Sequence, residues 1–431
     1  MAIWLRLICI KAMLSATLHT PRVNAFEPDL TPSPRLLAAA PHRLLFFVGA
    51  SNVLLAMLWW TGWLLQTRWG GQALPQPSVP AGFMHALVMQ YQVLPPFMFG
   101  FLLTVFPRWM NLPELTVWHY LPVGLGLFGG QLLTLIGLLG WPHLLTLGFI
   151  FTLIGWSTGL VWLLRLLWQS ASLTWHAISC AAALGIGWLG LLMVFAAWFS
   201  GNPQWWFMAI KFAGFGLLLP IYFSVCHRML PFFASRVIAG YRGRNPLWTL
   251  GLFWALAVAH LGLELVHGYP WLWLTDLPMA ALTGGLLWQW WPRGQTMPAL
   301  LKVLLVGFAW LPTAFLLYAG QSLWFAATGD FLLGRGPAHA LFIGFFGSLL
   351  VAMVTRVTQG HSGRPLQLGR VAGFAFIVVQ AVAALRIVSE VLPDSMAWQI
   401  LAALGWLLAF LPWVLRSAFI YLTPRVDGQI G

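Results

Sequence analysis

The sequence is poor in acid. Its 431 residues include nine Asp and Glu against 22 Lys and Arg, and charged residues of both signs make up only 7%. Soluble domains carry roughly 25%, so the chain lacks the charge to cover a water-facing globular surface. Cysteine is scarce too. Cys9, Cys180 and Cys226 lie far apart and form no CxxC pair. That excludes a disulfide framework and a cysteine-based zinc knuckle, and the missing CxxCH excludes covalent haem attachment. No glycine-rich phosphate loop, catalytic triad or zinc-protease pattern is present.

What the chain has is apolar surface. Hydrophobic residues make up 60% of it, in long blocks separated by short polar breaks. A bilayer core needs ~20 apolar residues per helix. The blocks, rich in Leu, Phe, Trp and Gly, reach that length, whereas barrel strands would alternate over about ten residues. The expected fold is all-α, a polytopic membrane protein of about twelve transmembrane helices. The predicted spans are 44–66, 82–107, 119–140, 142–168, 174–199, 204–230, 246–266, 271–292, 298–327, 336–357, 368–391 and 395–422. Residues 44–422 thus form the membrane domain. Residues 1–43 are an N-terminal tail, flexible or interfacial, and 423–431 a short cytoplasmic tail.

In a soluble chain the net charge of +13 would point to nucleic acid. Here the basic residues stand between apolar blocks and set topology, so no nucleic-acid partner is expected. With the N-terminus placed in the cytoplasm, 18 of the 22 basic residues fall on the cytoplasmic side. Both termini are therefore expected inside. Arg68, Arg335 and Arg386 are the exceptions, and Lys211 lies within a span.

A faint repeat runs through the chain. FPRWM, CHRML and VTRVT place Arg108, Arg228 and Arg356 at the ends of the second, sixth and tenth spans, 120 and 128 residues apart. Lys211 and His339 each precede their arginine by 17 residues. Three four-helix units would produce this pattern; basic anchoring of three helix ends accounts for it as well.

Of eleven histidines, six fall at or beyond the inner face and His143 and His267 at the outer face, which leaves His85, His260 and His339 within the membrane, all in the outer third. The 17 residues from His339 to Arg356 are about 25 Å of helix, nearly the bilayer core. Ionisable groups inside a membrane are usually functional. Neutral imidazole is a common ligand of haem iron and copper, and cofactors sit between the helices of bundles. Two facing imidazoles would hold a haem, and His260 with His267 or His143 would hold copper. The alternative is that each histidine hydrogen-bonds a neighbouring helix. Lys211 suits a haem propionate, an acid, or snorkelling to the interface. Pro95 and Pro96 interrupt the second span and bend it. Tyr91, Tyr222, Met84, Met89 and Met208 are secondary candidates beside the metal.

The stretch GPAHALFIGFFGSLLVAMVTRVTQGHSGRPL resembles the signature of the NnrS family. The match runs through His339, Gly344, Gly347, Met353, Thr355, Arg356, Gly360, His361, Gly363, Arg364 and Pro365. HALVMQYQVLPPFMFGFLLTVFPRWM resembles the family's second-helix segment through His85, Gly100, Phe101, Leu102, Thr104 and Pro107. CHRMLPFF resembles a third segment through Arg228, Pro231 and Phe233. Two departures stand out. The family's second helix often reads H-A-H-E-M, where this chain has His85-Ala86-Leu87-Val88-Met89. Cys226-His227 also stand where glycines are usual.

The resemblance implies a haem- and copper-containing protein of the bacterial inner membrane that binds or processes nitric oxide, in denitrification or protection from nitrosative stress. A nitric oxide-handling oxidoreductase is within that range. It implies His85 and His339 as haem ligands; in the reading built on it, His260, with His267, is a distal or copper-site ligand, and Lys211 stays a candidate for the cofactor from its place within a span. A redox or assembly partner in the same membrane is implied as well. Two readings of other classes stay open. One is a twelve-helix secondary transporter, although PRWMNLPEL lacks the acidic, arginine and glycine motif of the major facilitators. The other is a membrane assembly factor for nitric oxide reductase, carrying haem in transit.

Overall fold

The structure is a computed structural model that describes residues 30–71, 74–172 and 174–429. The proposed tail at 1–43 therefore lies mostly outside the described residues. Twelve long helices follow one another: α1 Pro41–Trp69, α2 Ala81–Trp109, α3 Val117–Leu138, α4 Pro142–Gln169, α5 Trp175–Ser200, α6 Gln204–Val237, α7 Leu247–Leu265, α8 Trp273–Trp290, α9 Ala299–Thr328, α10 Gly336–His361, α11 Arg370–Val388 and α12 Ser395–Leu422. There is no strand among the described residues. Helix is what hydrocarbon demands, because it satisfies every backbone donor within its own segment. By length and composition eleven of the twelve can cross a membrane. The remaining one, α8, has 18 residues and carries the buried Asp276.

Threefold repetition is built into the packing. The last helix of each four packs on the first of the next: α4 on α5, α8 on α9 and α12 on α1. Helices α1, α5 and α9 each end on a glycine in the left-handed region, Gly70 at φ 77°, Gly201 at φ 66° and Gly329 at φ 78°. In each case the glycine N–H donates to the carbonyl four residues back, a cap that glycine adopts without Cβ strain.

Helices α2, α6 and α10 form the centre. They are 89%, 78% and 83% buried, against 39–61% for the other eight spanning helices. Each also contains a π-helical segment, at Met89–Val93, Phe212–Leu218 and Ala340–Gly347. Such segments are rare and gather at functional sites. They converge at Gly214, where an added Cβ would meet the Phe342 ring at 3.3 Å and Gln90 Nε2 at 3.9 Å.

The expected arginine ends need correction. Helices α6 and α10 run on past Arg228 and Arg356 to Val237 and His361. The guanidiniums lie over aromatic rings, Arg228 over Trp109 at 4.5 Å and Arg356 over Phe233 at 3.9 Å. Cation–π contact on the neighbouring central helix lets the charge sit inside the helix rather than close it. In the first four helices, α3 and α4 approach closely because glycines face each other. A Cβ on Gly126 would stand 2.6 Å from the Gly155 Cα.

Candidate functional site between α2 and α10

His85 lies one turn into α2. Its ring stacks on Trp60 of α1, with centroids 4.3 Å apart at 14°, and Trp60 stacks in turn on Trp63. This aromatic stack holds the imidazole plane while leaving its edge free. Neither ring nitrogen of His85 has a hydrogen-bond partner among the described residues. His339 stands at the junction of the first turn of α10 with its π segment. Its Nδ1 lies 2.8 Å from the Arg335 carbonyl oxygen. A carbonyl only accepts, so Nδ1 carries the proton and Nε2 keeps a bare lone pair. That is the arrangement found in metal-binding histidines, where a backbone carbonyl fixes the tautomer.

The two imidazoles are close enough to interact electrostatically, and both sense Arg335 and Arg386. Arg386 is paired with Glu390 and also donates to Ser389 Oγ at 2.9 Å. Arg335 has no ion pair or side-chain hydrogen bond among the described residues. Its Nη1 would be 3.5 Å from a Cβ on Gly82, one turn before His85. The site therefore offers two imidazoles with uncommitted nitrogens and one uncommitted cation.

Lys211 and His260 belong to a different cluster. Lys211 Nζ pairs with Glu264 Oε2 at 2.8 Å, and Glu264 Oε1 lies 3.8 Å from His260 Nε2. His260 Nδ1 is 2.6 Å from Asp276 Oδ1, which also accepts from the Thr275 hydroxyl at 3.3 Å. Phe215, Phe315 and Tyr318 close over the His260 ring. His260 and Asp276 are wholly buried. The cluster links α6, α7 and α8: the Lys211 ammonium faces the Glu264 carboxylate, and the His260 ring lies between Glu264 and Asp276.

His267 does not join His260. It sits at φ 53° past the end of α7, with Nδ1 2.9 Å from the Tyr269 hydroxyl and its ring against Phe207. Burial, with the Glu264 charge second, pushes the Tyr269 phenol above its ordinary range, so it stays protonated beside the imidazole. Among the described residues no three His, Cys, Asp or Glu side chains are grouped so as to hold a metal.

Seventeen residues before the three arginines stand Tyr91, Lys211 and His339, so the repeat places three different chemistries at one level. Tyr91 donates to the Ala209 carbonyl at 2.7 Å and ties α2 to α6. Gln90 beside it is a residue that sequence reading missed. It is buried, and its Oε1 has no partner. A polar residue within a span was the only available signal. Arg335 did have one, as an exception to the basic-inside pattern.

Elsewhere the histidines pair off. His176 and His227 hydrogen-bond each other at 2.9 Å, and the rings of His42 and His361 lie 4.3 Å apart. The QGHSGRP loop is thus folded against the start of α1. It is also joined to the C-terminal segment, where Val426 N–H donates to the Ser362 carbonyl at 3.1 Å.

The family described as NnrS protein matches residues 36–425. The chain belongs to the NnrS family. That range takes in all twelve helices except the ends of the described chain, so the central π-helical trio, both outer clusters and the QGHSGRP loop lie within an NnrS domain. No curated protein matches the chain.

Proposed function

We propose that this NnrS-family protein holds haem non-covalently at His85 and His339 and there binds or processes nitric oxide. The observation that carries the reading is the state of these two imidazoles. His339 has its Nδ1 proton fixed by a carbonyl and its Nε2 free. His85 is held by stacking alone and shares the electrostatic surroundings of His339. The donor set fits a haem: two neutral nitrogens for iron and the unpaired Arg335 for a propionate. Bound haem would supply an iron centre with affinity for nitric oxide. The chain's own part is to orient His85 against Trp60, keep Nε2 of His339 unprotonated, and place Arg335 at the open end. Lys211 serves the cofactor at one remove, since its ammonium is already paired with Glu264.

Copper fits less well. His260 gives its Nδ1 to Asp276 and His267 lies with Tyr269, so the two supply no common ligand set. In this reading the arginine-bearing face is cytoplasmic, both termini lie inside, and the haem is near the periplasmic surface of a bacterial inner membrane. Nitric oxide, small and uncharged, reaches the site through lipid.

The test is an optical spectrum of the purified protein, oxidised and dithionite-reduced, before and after nitric oxide, with His85→Ala and His339→Ala alongside. The expected result is a Soret band that shifts on reduction and on addition of the gas and disappears in both variants. A protein expressed with supplemental haem and showing no Soret band would overturn the reading and favour the transporter.

A further inference from the structure

A second feature lies deeper in the central trio, on the arginine side of the π segments. An apolar cavity of about 60 Å3, partly open on one side, lies between α2, α6 and α10, with Phe46 and Phe97 in its lining. Its walls obey the threefold register. Seven and six residues before Arg108, Arg228 and Arg356 stand Phe101 and Leu102, Ile221 and Tyr222, and Leu349 and Leu350, and all six line the cavity. It is therefore the axis of the repeat, where three helices kept apart by their large side chains leave a gap, and not an accident of one loose side chain. From His339 it is ten residues down α10, roughly 15 Å.

By volume the cavity has room for water, but water also needs two to four polar partners. Here the lining offers only the Tyr222 hydroxyl and the Cys226 thiol, and Cys226 is buried. Apolar cavities of this kind stay dry and take up small apolar guests. The size excludes a haem, a lipid chain or a sugar. We infer that the axial cavity between α2, α6 and α10 is a binding site for one small uncharged gas molecule. Nitric oxide as its natural occupant rests on the function proposed above; the capacity for an apolar gas rests on the walls alone. The cavity stores the gas on the molecule's own axis, and the π segments with Phe342 and Gln90 lie between store and haem.

Xenon is the probe, because it reports apolar cavities directly and does not bind haem iron. Crystals of the full-length protein under xenon pressure should show one anomalous peak between Leu102, Tyr222 and Leu350. Solution binding would be followed by 129Xe NMR on the same preparation. Leu350→Phe and Val354→Phe, which fill the cavity from separate turns of α10, should each lower xenon affinity at least tenfold. Leu411→Phe on the exposed face of α12 should leave it unchanged. No peak at the axis in folded wild-type crystals, or undiminished binding in the filled variants, overturns the inference. If the filled variants do not fold, the wild-type crystal decides alone. Haem-free and haem-loaded protein should bind xenon alike, so a missing Soret band and a missing xenon peak are separate failures.

Discussion

His176 with His227 and His85 with His339 are both imidazole pairs between helices, yet their nitrogens are used differently. In the first pair every proton can be assigned. The Thr249 hydroxyl donates to the Pro246 carbonyl at 2.7 Å, so its oxygen accepts from His227 Nε2 at 2.8 Å. His227 Nδ1 is then bare and accepts from His176 Nε2 at 2.9 Å. Three of this pair's four nitrogens are thus engaged, and only His176 Nδ1 has no partner among the described residues. In the second pair only one nitrogen of four, His339 Nδ1, is engaged among the described residues. In the reading proposed above, the free nitrogens of the second pair are the ones a ligand would use. In the Lys211, Glu264, His260 and Asp276 cluster, too, the polar side chains are turned toward one another across three helices.

The largest effect should come from breaking that charge cluster. Lys211→Met leaves Glu264 nearly buried without its cation. Removing one partner of a buried ion pair costs roughly 3–5 kcal/mol, and the partial exposure of Lys211 sets the expectation at the low end. Thermal unfolding in detergent would show it, and the double change Lys211→Met with Glu264→Met should recover most of the loss. If Lys211→Met is neutral and haem is lost instead, the lysine belongs to the open site and the comparison is redrawn.

Next in size is the closed pair. His227→Phe keeps the ring volume but strips His176 of its acceptor and Thr249 of a donor. A buried group left unsatisfied costs about 1–3 kcal/mol, so the midpoint should fall while haem content, measured by absorbance, stays as in wild type. Loss of haem in this variant would place the cofactor on the arginine side and sink the distinction between the pairs.

Much of this architecture was legible before the structure. Apolar block length marked all twelve helices, most ends within three residues and the ends of α6 and α10 short by seven and four, because hydrocarbon leaves the backbone no alternative to helix. The three arginines marked the repeat, which the glycine caps and π segments then display. The π segments themselves carry no sequence signal; they arise where three central helices must pass one another. Glu264, four residues after His260, was within reach of helical spacing. Asp276 was not, since only the packing of α8 on α7 brings it there. That His85 and His339 stand toward the ends of α2 and α10 opposite Arg108 and Arg356 was readable, but position along a helix does not say which nitrogens are already taken. That depends on partners from distant segments, which is why His260 and His339 look alike in sequence and differ in the fold.

The smallest expected change in stability is the most informative about the open pair. His85→Phe keeps the flat ring stacked on Trp60, a contact of about 0.5–1.5 kcal/mol, and removes only nitrogens that bond to nothing among the described residues. Its unfolding midpoint should therefore match wild type closely. Haem content should nevertheless collapse, because the lost atoms are the ones a metal would use. An alanine at the same place confounds the two, since it removes stack and ligand together. If His85→Phe is as stable as wild type and still carries a normal Soret band, the His85 nitrogens are idle. If stability falls by several kcal/mol in haem-free protein, the imidazole edge has a structural partner, and the contrast between open and closed pairs no longer holds.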